Sequence, residues 1–177
     1  LSTGPGRHTT SGVAVRVVEG PNGGWHTGGV GTGATASAMR HIESRAVDAG
    51  EKRLVTEAAL DVYDMRYIDE VGMRRAMEQA LAGMDDNTHL HVSFDVDFLD
   101  PSIAPGVGTV VPGGPNYREA QLVMEMIADS GRMGSLDIME LNPVLDPRNA
   151  TARRPAELVE SPVGKTIELG WDAALVD

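Results

Sequence analysis

From about His41 onward the hydrophobic and polar positions fall into regular patterns of two periods. EKRLVTEAAL (51–60) has helical propensity, VYDM (62–65) reads as a short strand, and DEVGMRRAMEQALAGM (69–84) reads as an amphipathic helix. In that helix Val71, Met77 and Leu81 share the apolar face, while Arg74, Arg75 and Glu78 face water. HLHVSFDVDF (89–98) is rich in β-branched and aromatic residues and predicts a strand. After a Pro/Gly-rich loop, YREAQLVMEMIADSG predicts a helix with Asn116 as its cap, Glu119 three residues on as in a capping box, and Gly131 as its stop. SLDIMEL (135–141) predicts a further strand, closed by Asn142-Pro143. Strands alternating with helices predict an α/β fold, a three-layer αβα sandwich around a mostly parallel sheet. Residues 1–40 differ. They hold nearly half of the 21 glycines and one short alternation, Val13, Val15 and Val17, so they predict at most one strand and little core. The expected division is a Gly-rich segment over 1–40 and an α/β domain over 41–177.

Composition narrows the classes of function. The 177 residues fit one domain, and 41% hydrophobic with 23% charged residues is globular. No apolar run reaches the length of a membrane span, so a soluble protein is expected, and the first residues lack the charged start and apolar core of a secretory signal. A formal charge of −11 argues against nucleic acid or anionic lipid as partner and favours a small cationic one. The absence of cysteine excludes thiol catalysis and zinc-thiolate sites.

The candidate chemistry lies in HVSFDVDFLDP (91–101). Side chains alternate along a strand, so Val92, Phe94, Val96 and Phe98 share one face and Ser93, Asp95 and Asp97 the other, with the two carboxylates roughly 7 Å apart at their Cα atoms. Buried carboxylates side by side must take up protons, pair with cations or bind metal. Glu140, at the end of SLDIMEL, comes out beside Asp97 if the two strands are neighbours, because ligands of open parallel sheets bind beyond the carboxyl ends of the strands. The plain alternative is a pair of salt-bridged Asp residues where a strand meets solvent. An EF-hand calcium loop fails on spacing, since Leu99 and Asp100 occupy its fifth and sixth positions. His89 and His91 share the face of Asp95 at the far end of the strand and read as buried or inter-strand polar groups.

Several of these segments together resemble the arginase (ureohydrolase) family. SFDVDFLDPSIAPGVGTVVPGG resembles its strand signature and the loop after it. SLDIMELNPVLDPRNATA is similar to its segment around E-x-N-P, ARRPAELVESPVGKTI to its closing helix, and SRAVDAGEKRLV to its R-x-x-D-x-G-E segment. The resemblance runs from about residue 41 to about residue 170. It implies hydrolysis of L-arginine to L-ornithine and urea by two Mn²⁺ ions, with Asp95 and Asp97 as metal ligands. It further implies Glu140 pairing with the guanidinium, Thr109 orienting Glu140, and Asp48 with Glu51 near the substrate's α-amino group. The ions would activate a water to attack the guanidinium carbon. A place in arginine catabolism in the cytoplasm and homo-oligomers, trimers or hexamers, are implied as well.

The family also draws metal ligands from an earlier D-x-H-x-D strand, which does not occur in these 177 residues. None of the five histidines, His8, His26, His41, His89 and His91, has an Asp two residues away. Half of the metal shell is missing, so weak Mn²⁺ binding and little or no arginase activity are expected of the chain as it stands. Two other classes stay open at this point. One is a non-catalytic arginase fragment or pseudoenzyme. The other is a haloacid-dehalogenase-like phosphotransferase, whose D-x-D strand FDVDFLDP also resembles although Phe98 and Leu99 replace the expected Gly and Thr. Gly29, Gly31, Gly33 and Ala34 formally fit the dinucleotide fingerprint G-x-G-x-x-A, but they follow no strand and TASAMRHIES makes a poor first helix, so they read as loop.

Overall fold

The computed structural model describes residues 39–42, 53, 56, 57, 60–86 and 88–160, and the backbone alone of 13–19. The expectations placed on His8, His26, the glycines at 29–33, Asp48, Glu51 and the chain beyond 160 lie outside the described residues.

Five strands form one sheet in the order β3-β2-β1-β4-β5. They are β1 (Val13–Glu19), β2 (Met39–Ile42), β3 (Asp61–Tyr63), β4 (Thr88–Asp95) and β5 (Met133–Met139). β2 pairs with β3, and β4 with β5, in parallel; β1 runs antiparallel to both of its neighbours. Four strands therefore point one way and one points back. The Val13–Val17 alternation is a strand as expected, yet it holds the centre of the sheet, with Val15 opposite Arg40 on one side and Val92 on the other. The MRHI piece of TASAMRHIES, poor as a helix, is the strand β2.

Helices α1 (Met65–Val71), α2 (Met73–Ala80), α3 (Tyr117–Asp129) and α4 (Ala150–Val159) supply the other layer. Their buried side chains join Leu90, Val92 and Phe94 of β4 in a single core cluster. On the opposite face of β4, His91, Ser93 and Asp95 remain half-exposed and His89 is exposed, the alternation that a strand imposes. α3 buries Ala120, Val123, Met124 and Ile127, one stripe at three- and four-residue spacing. Its start is the expected capping box: Asn116 Oδ1 accepts from the N–H groups of Arg118 (2.9 Å) and Glu119 (3.1 Å), and Glu119 Oε2 accepts from the N–H of Asn116 (2.9 Å). Gly131, at φ 61°, follows its end.

The helix expected over 69–84 is two helices. Gly72, at φ 86°, donates its N–H to the Ile68 carbonyl to end α1 and then stands as the N-cap of α2. That break resets the helical phase, so Met73, Ala76, Met77 and Ala80 face the core, whereas Val71 is 39% exposed instead of buried. Leu81 lies half-buried beyond the helix, and Arg74, Arg75 and Glu78 face water as expected.

Candidate metal centre

β4 ends three residues earlier than its sequence pattern predicts. Asp95 is its last residue, and Val96–Phe98 form a 3₁₀ turn closed by the Leu99 N–H on the Val96 carbonyl at 3.2 Å. Strand parity therefore does not place Asp97. The turn buries Val96, Asp97 and Phe98 in succession, and Asp97 is left only 3% exposed. Phe94 and Phe98 anchor the two sides of this turn in the core, with ring centroids 5.8 Å apart in an edge-to-face arrangement. The carboxylates are thus brought together by two aromatic anchors rather than by strand alternation.

The pair is electrostatically unfavourable by itself. Burial pushes the Asp95 carboxyl up to about 8, reinforced by its hydrogen bond to Asp97, by the Asp97 charge and by the Glu140 charge. Asp95 Oδ1 is buried and has no hydrogen-bond partner among the described residues. A hard divalent cation fits this donor set, since it would satisfy the orphan oxygen and offset the repulsion at once. The fit is partial, because among the described residues no group of three or more His, Cys, Asp or Glu side chains is placed to hold an ion.

Glu140 stands just past the end of β5, where Asp95 lies opposite Met139, and so at the same end of the sheet as the Asp pair. It adopts φ 63°, a left-handed conformation that costs a side-chain-bearing residue roughly 1–3 kcal/mol. The loop after β4 meets it there: Val107 bridges Leu141, and a Cβ placed on Gly108 would lie 3.5 Å from Glu140 Oε2. Thr109, the next residue, is exposed and makes no hydrogen bond to Glu140 among the described residues.

Two supporting groups escaped the sequence reading. Asp100 takes no place in the carboxylate pair; its Oδ1 accepts from the Ser102 N–H (3.0 Å) and its Oδ2 from the Gly113 N–H (2.9 Å). The hydrogen bonding with Ser102, with further bonds from Gly113 and Gly114, holds its carboxyl down at about 2 against a small opposing effect of burial. Asp-x-Ser is an Asx-turn signal and could have shown this. Asp146 is the second. Burial opposes its ionisation, but the N–H groups of Thr151 and Ala152, the Thr151 side chain and the Ala150 N–H outweigh that and hold its carboxyl low. Among the histidines, His91 bonds across the strands as expected, with Nδ1 2.6 Å from Ser135 Oγ and Nε2 3.6 Å from Asp137 Oδ2. His89 is exposed rather than buried, because it lies near the strand's open beginning beside Gly134. Burial lowers the pKa of His41 on β2.

Comparison with known proteins decides the family. A model of the arginase family matches residues 11–164. The chain belongs to the arginase family. An arginase of Agrobacterium fabrum is 52% identical over 124 residues, which are 70% of this chain and 38% of that protein. An arginase of Bacillus subtilis is 44% identical over 126 residues, covering 71% of this chain and 43% of that one. The solved structure of arginase from Bacillus caldovelox shares 40% identity and a TM-score of 0.73 over 78% of this chain and 46% of that chain. This arginase-family chain thus spans less than half the length of these relatives. The α/β fold is that of the family, whose members are metal-dependent hydrolases, and the phosphotransferase alternative finds no support. Among the described residues no helix is long and apolar enough to cross a membrane.

Proposed function

We propose that the chain carries one part of an arginase centre, which hydrolyses L-arginine to L-ornithine and urea with two Mn²⁺ ions. The observation that carries this reading is the Asp95–Asp97 pair, with Asp97 buried and an orphan buried oxygen on Asp95, and the nearby Glu140, all at one end of the sheet. Asp95 and Asp97 would hold the metal through hard carboxylate oxygens. When bound, such ions supply Lewis acidity and activate water at neutral pH. Glu140 accepts the guanidinium, whose fork of donors matches a carboxylate, and its left-handed backbone turns it off the line of β5. On the family resemblance alone, Thr109 on the loop beside it would orient Glu140 once the full centre is assembled, and Asp48 with Glu51 would receive the α-amino group. The net charge of −11 favours approach of a cationic amino acid. The same reading carries a cytoplasmic location and a homo-oligomer, the latter readable by sedimentation of the purified chain.

Two Asp ligands do not make a rigid two-metal site, and the D-x-H-x-D ligands are not in these 177 residues. Urea release by this chain with added Mn²⁺ is therefore expected near background. A rate on the order of 10 per second or more would contradict the partial-site reading. In a longer version that includes a D-x-H-x-D strand, Glu140→Gln should lose most arginine turnover while retaining Mn²⁺; undiminished turnover would place the guanidinium elsewhere.

A further inference from the structure

A chain of short contacts runs from α4 to Glu140. Asp146 precedes α4 and caps its first turn: Oδ1 accepts from the Thr151 N–H (2.7 Å) and Oδ2 from the Ala152 N–H (2.9 Å). Asn149, which occupies the formal cap position, makes no such bond, so Asp146 does this from three residues upstream. Thr151, wholly buried, uses its own Oγ1 to accept the N–H of Gly106 at 2.8 Å, a contact between residues 45 apart in sequence. Gly106 in turn accepts the Asn142 N–H on its carbonyl at 2.9 Å, and the adjoining Val107 bridges Leu141. Glu140 is the residue immediately before that bridge.

Each link is sterically or electrostatically specific. A Cβ on Gly106 would stand 2.5 Å from Asp146 Cβ, 2.7 Å from its Cα and 2.8 Å from Thr151 Oγ1, so the loop backbone lies directly against this pair. The buried Gly106 N–H has Thr151 as its acceptor, and removing a partner from a buried donor costs more than the bond itself contributes. Nothing inside β5 holds Glu140 at positive φ, because the strand ladder has already ended at Met139. What clamps the chain after it is the pairing of Leu141 and Asn142 to the Gly106–Val107 segment.

We infer that Thr151, held by Asp146, is a positioning residue that fixes the backbone of Glu140 through Gly106. α4 thereby governs the angle at which Glu140 leaves the sheet, without touching it. The inference depends on the proposed function only for the use made of Glu140; the positioning itself is a property of the fold.

The test uses the ¹⁵N-labelled full chain with Thr151→Val, which keeps the shape and removes the acceptor, and Thr151→Ser, which restores it. Thr151→Val should speed hydrogen exchange at the Gly106 and Asn142 amides about tenfold more than at Val92 in the core of β4. It should also shift the three-bond HN–Hα coupling of Glu140 away from its left-handed value, and Thr151→Ser should return both readings. Asp146→Asn, a second route to the same contact, should move them in the same direction. Equal acceleration at Val92 and Asn142, or an unchanged Glu140 coupling in both variants, would overturn the inference and leave Thr151 a general stabiliser. An L-arginine titration run alongside separates the two claims. Insensitivity of arginine binding to Glu140→Gln would count against the proposed function, while the amide and coupling readings decide the positioning.

Discussion

Asp100 reaches across its own loop to Gly113, whose N–H donates to Oδ2 over 2.9 Å while the Ser102 N–H donates to Oδ1 over 3.0 Å. The Asp100 N–H meanwhile donates to the Pro115 carbonyl at 3.0 Å, so one residue ties both ends of the segment that brings Gly108 to Glu140. Asp100→Ala should cost about 1 kcal/mol at neutral pH. Since the folded-state pKa is depressed to about 2, the stabilisation is complete above the ordinary carboxylate value near 4 and is lost as pH falls through 2. Urea denaturation should therefore show a gap between native and variant that is wide at pH 6 and closes towards pH 2. A gap independent of pH would mean that the ionised carboxylate is not what ties the loop.

Gly106 and Gly134 offer a matched pair. At Gly106 an added methyl meets the Asp146 backbone at 2.7 Å, which can yield only by moving the turn before α4. At Gly134 the nearest atom is His89 Nδ1 at 3.7 Å, an ordinary contact. Gly106→Ala should lose about 1–3 kcal/mol, and Gly134→Ala should be neutral or stabilising by about 0.5 kcal/mol. Thermal melts of the two variants check this, and the reverse ranking would contradict the packing described around Asp146.

Phe98 ties the turn that carries Asp97 to the core, edge-on to Phe94 and completely buried. Phe98→Ala should destabilise by about 3–5 kcal/mol, at the upper end for a core truncation. Equilibrium urea unfolding reads the loss directly. A cost below about 1 kcal/mol would show that the turn stands without its aromatic anchor.

Glu140 retains a left-handed backbone that glycine adopts freely. Glu140→Gly should stabilise the chain by about 1 kcal/mol and remove the carboxylate offered to the guanidinium. Destabilisation by that change would mean that the Glu140 side chain contributes more to folding than its backbone conformation costs.

Much of this fold is written in local patterns. The stripe on α3, its Asn116–Glu119 capping box and the alternation of Leu90, Val92 and Phe94 each report a neighbourhood of a few residues, and each was readable. Gly72 misled because a glycine inside an amphipathic pattern can be tolerated or can end the helix, and only its φ of 86° distinguishes the two. The central position of β1 was not readable, since pairing with β4 joins residues far apart in a segment whose composition is that of a loop. Asp95 and Glu140 were legible as carboxylates at the same end of neighbouring strands, but the turn that sets Asp97 beside Asp95 was not. Parity failed at Val96, where the strand gives way to a turn, and the Thr151–Gly106 contact spans 45 residues, beyond any local pattern. Asp48 and Glu51 rest on family resemblance alone.

Calorimetric titration of Mn²⁺ into the purified chain decides whether Asp95 and Asp97 are the metal-holding pair. Weak but measurable binding is expected, which Asp95→Asn and Asp97→Asn each abolish and Glu140→Gln leaves within about threefold, since Glu140 is assigned to the guanidinium rather than to the metal. Mn²⁺ binding that survives undiminished in the Asp95→Asn/Asp97→Asn double variant would contradict it.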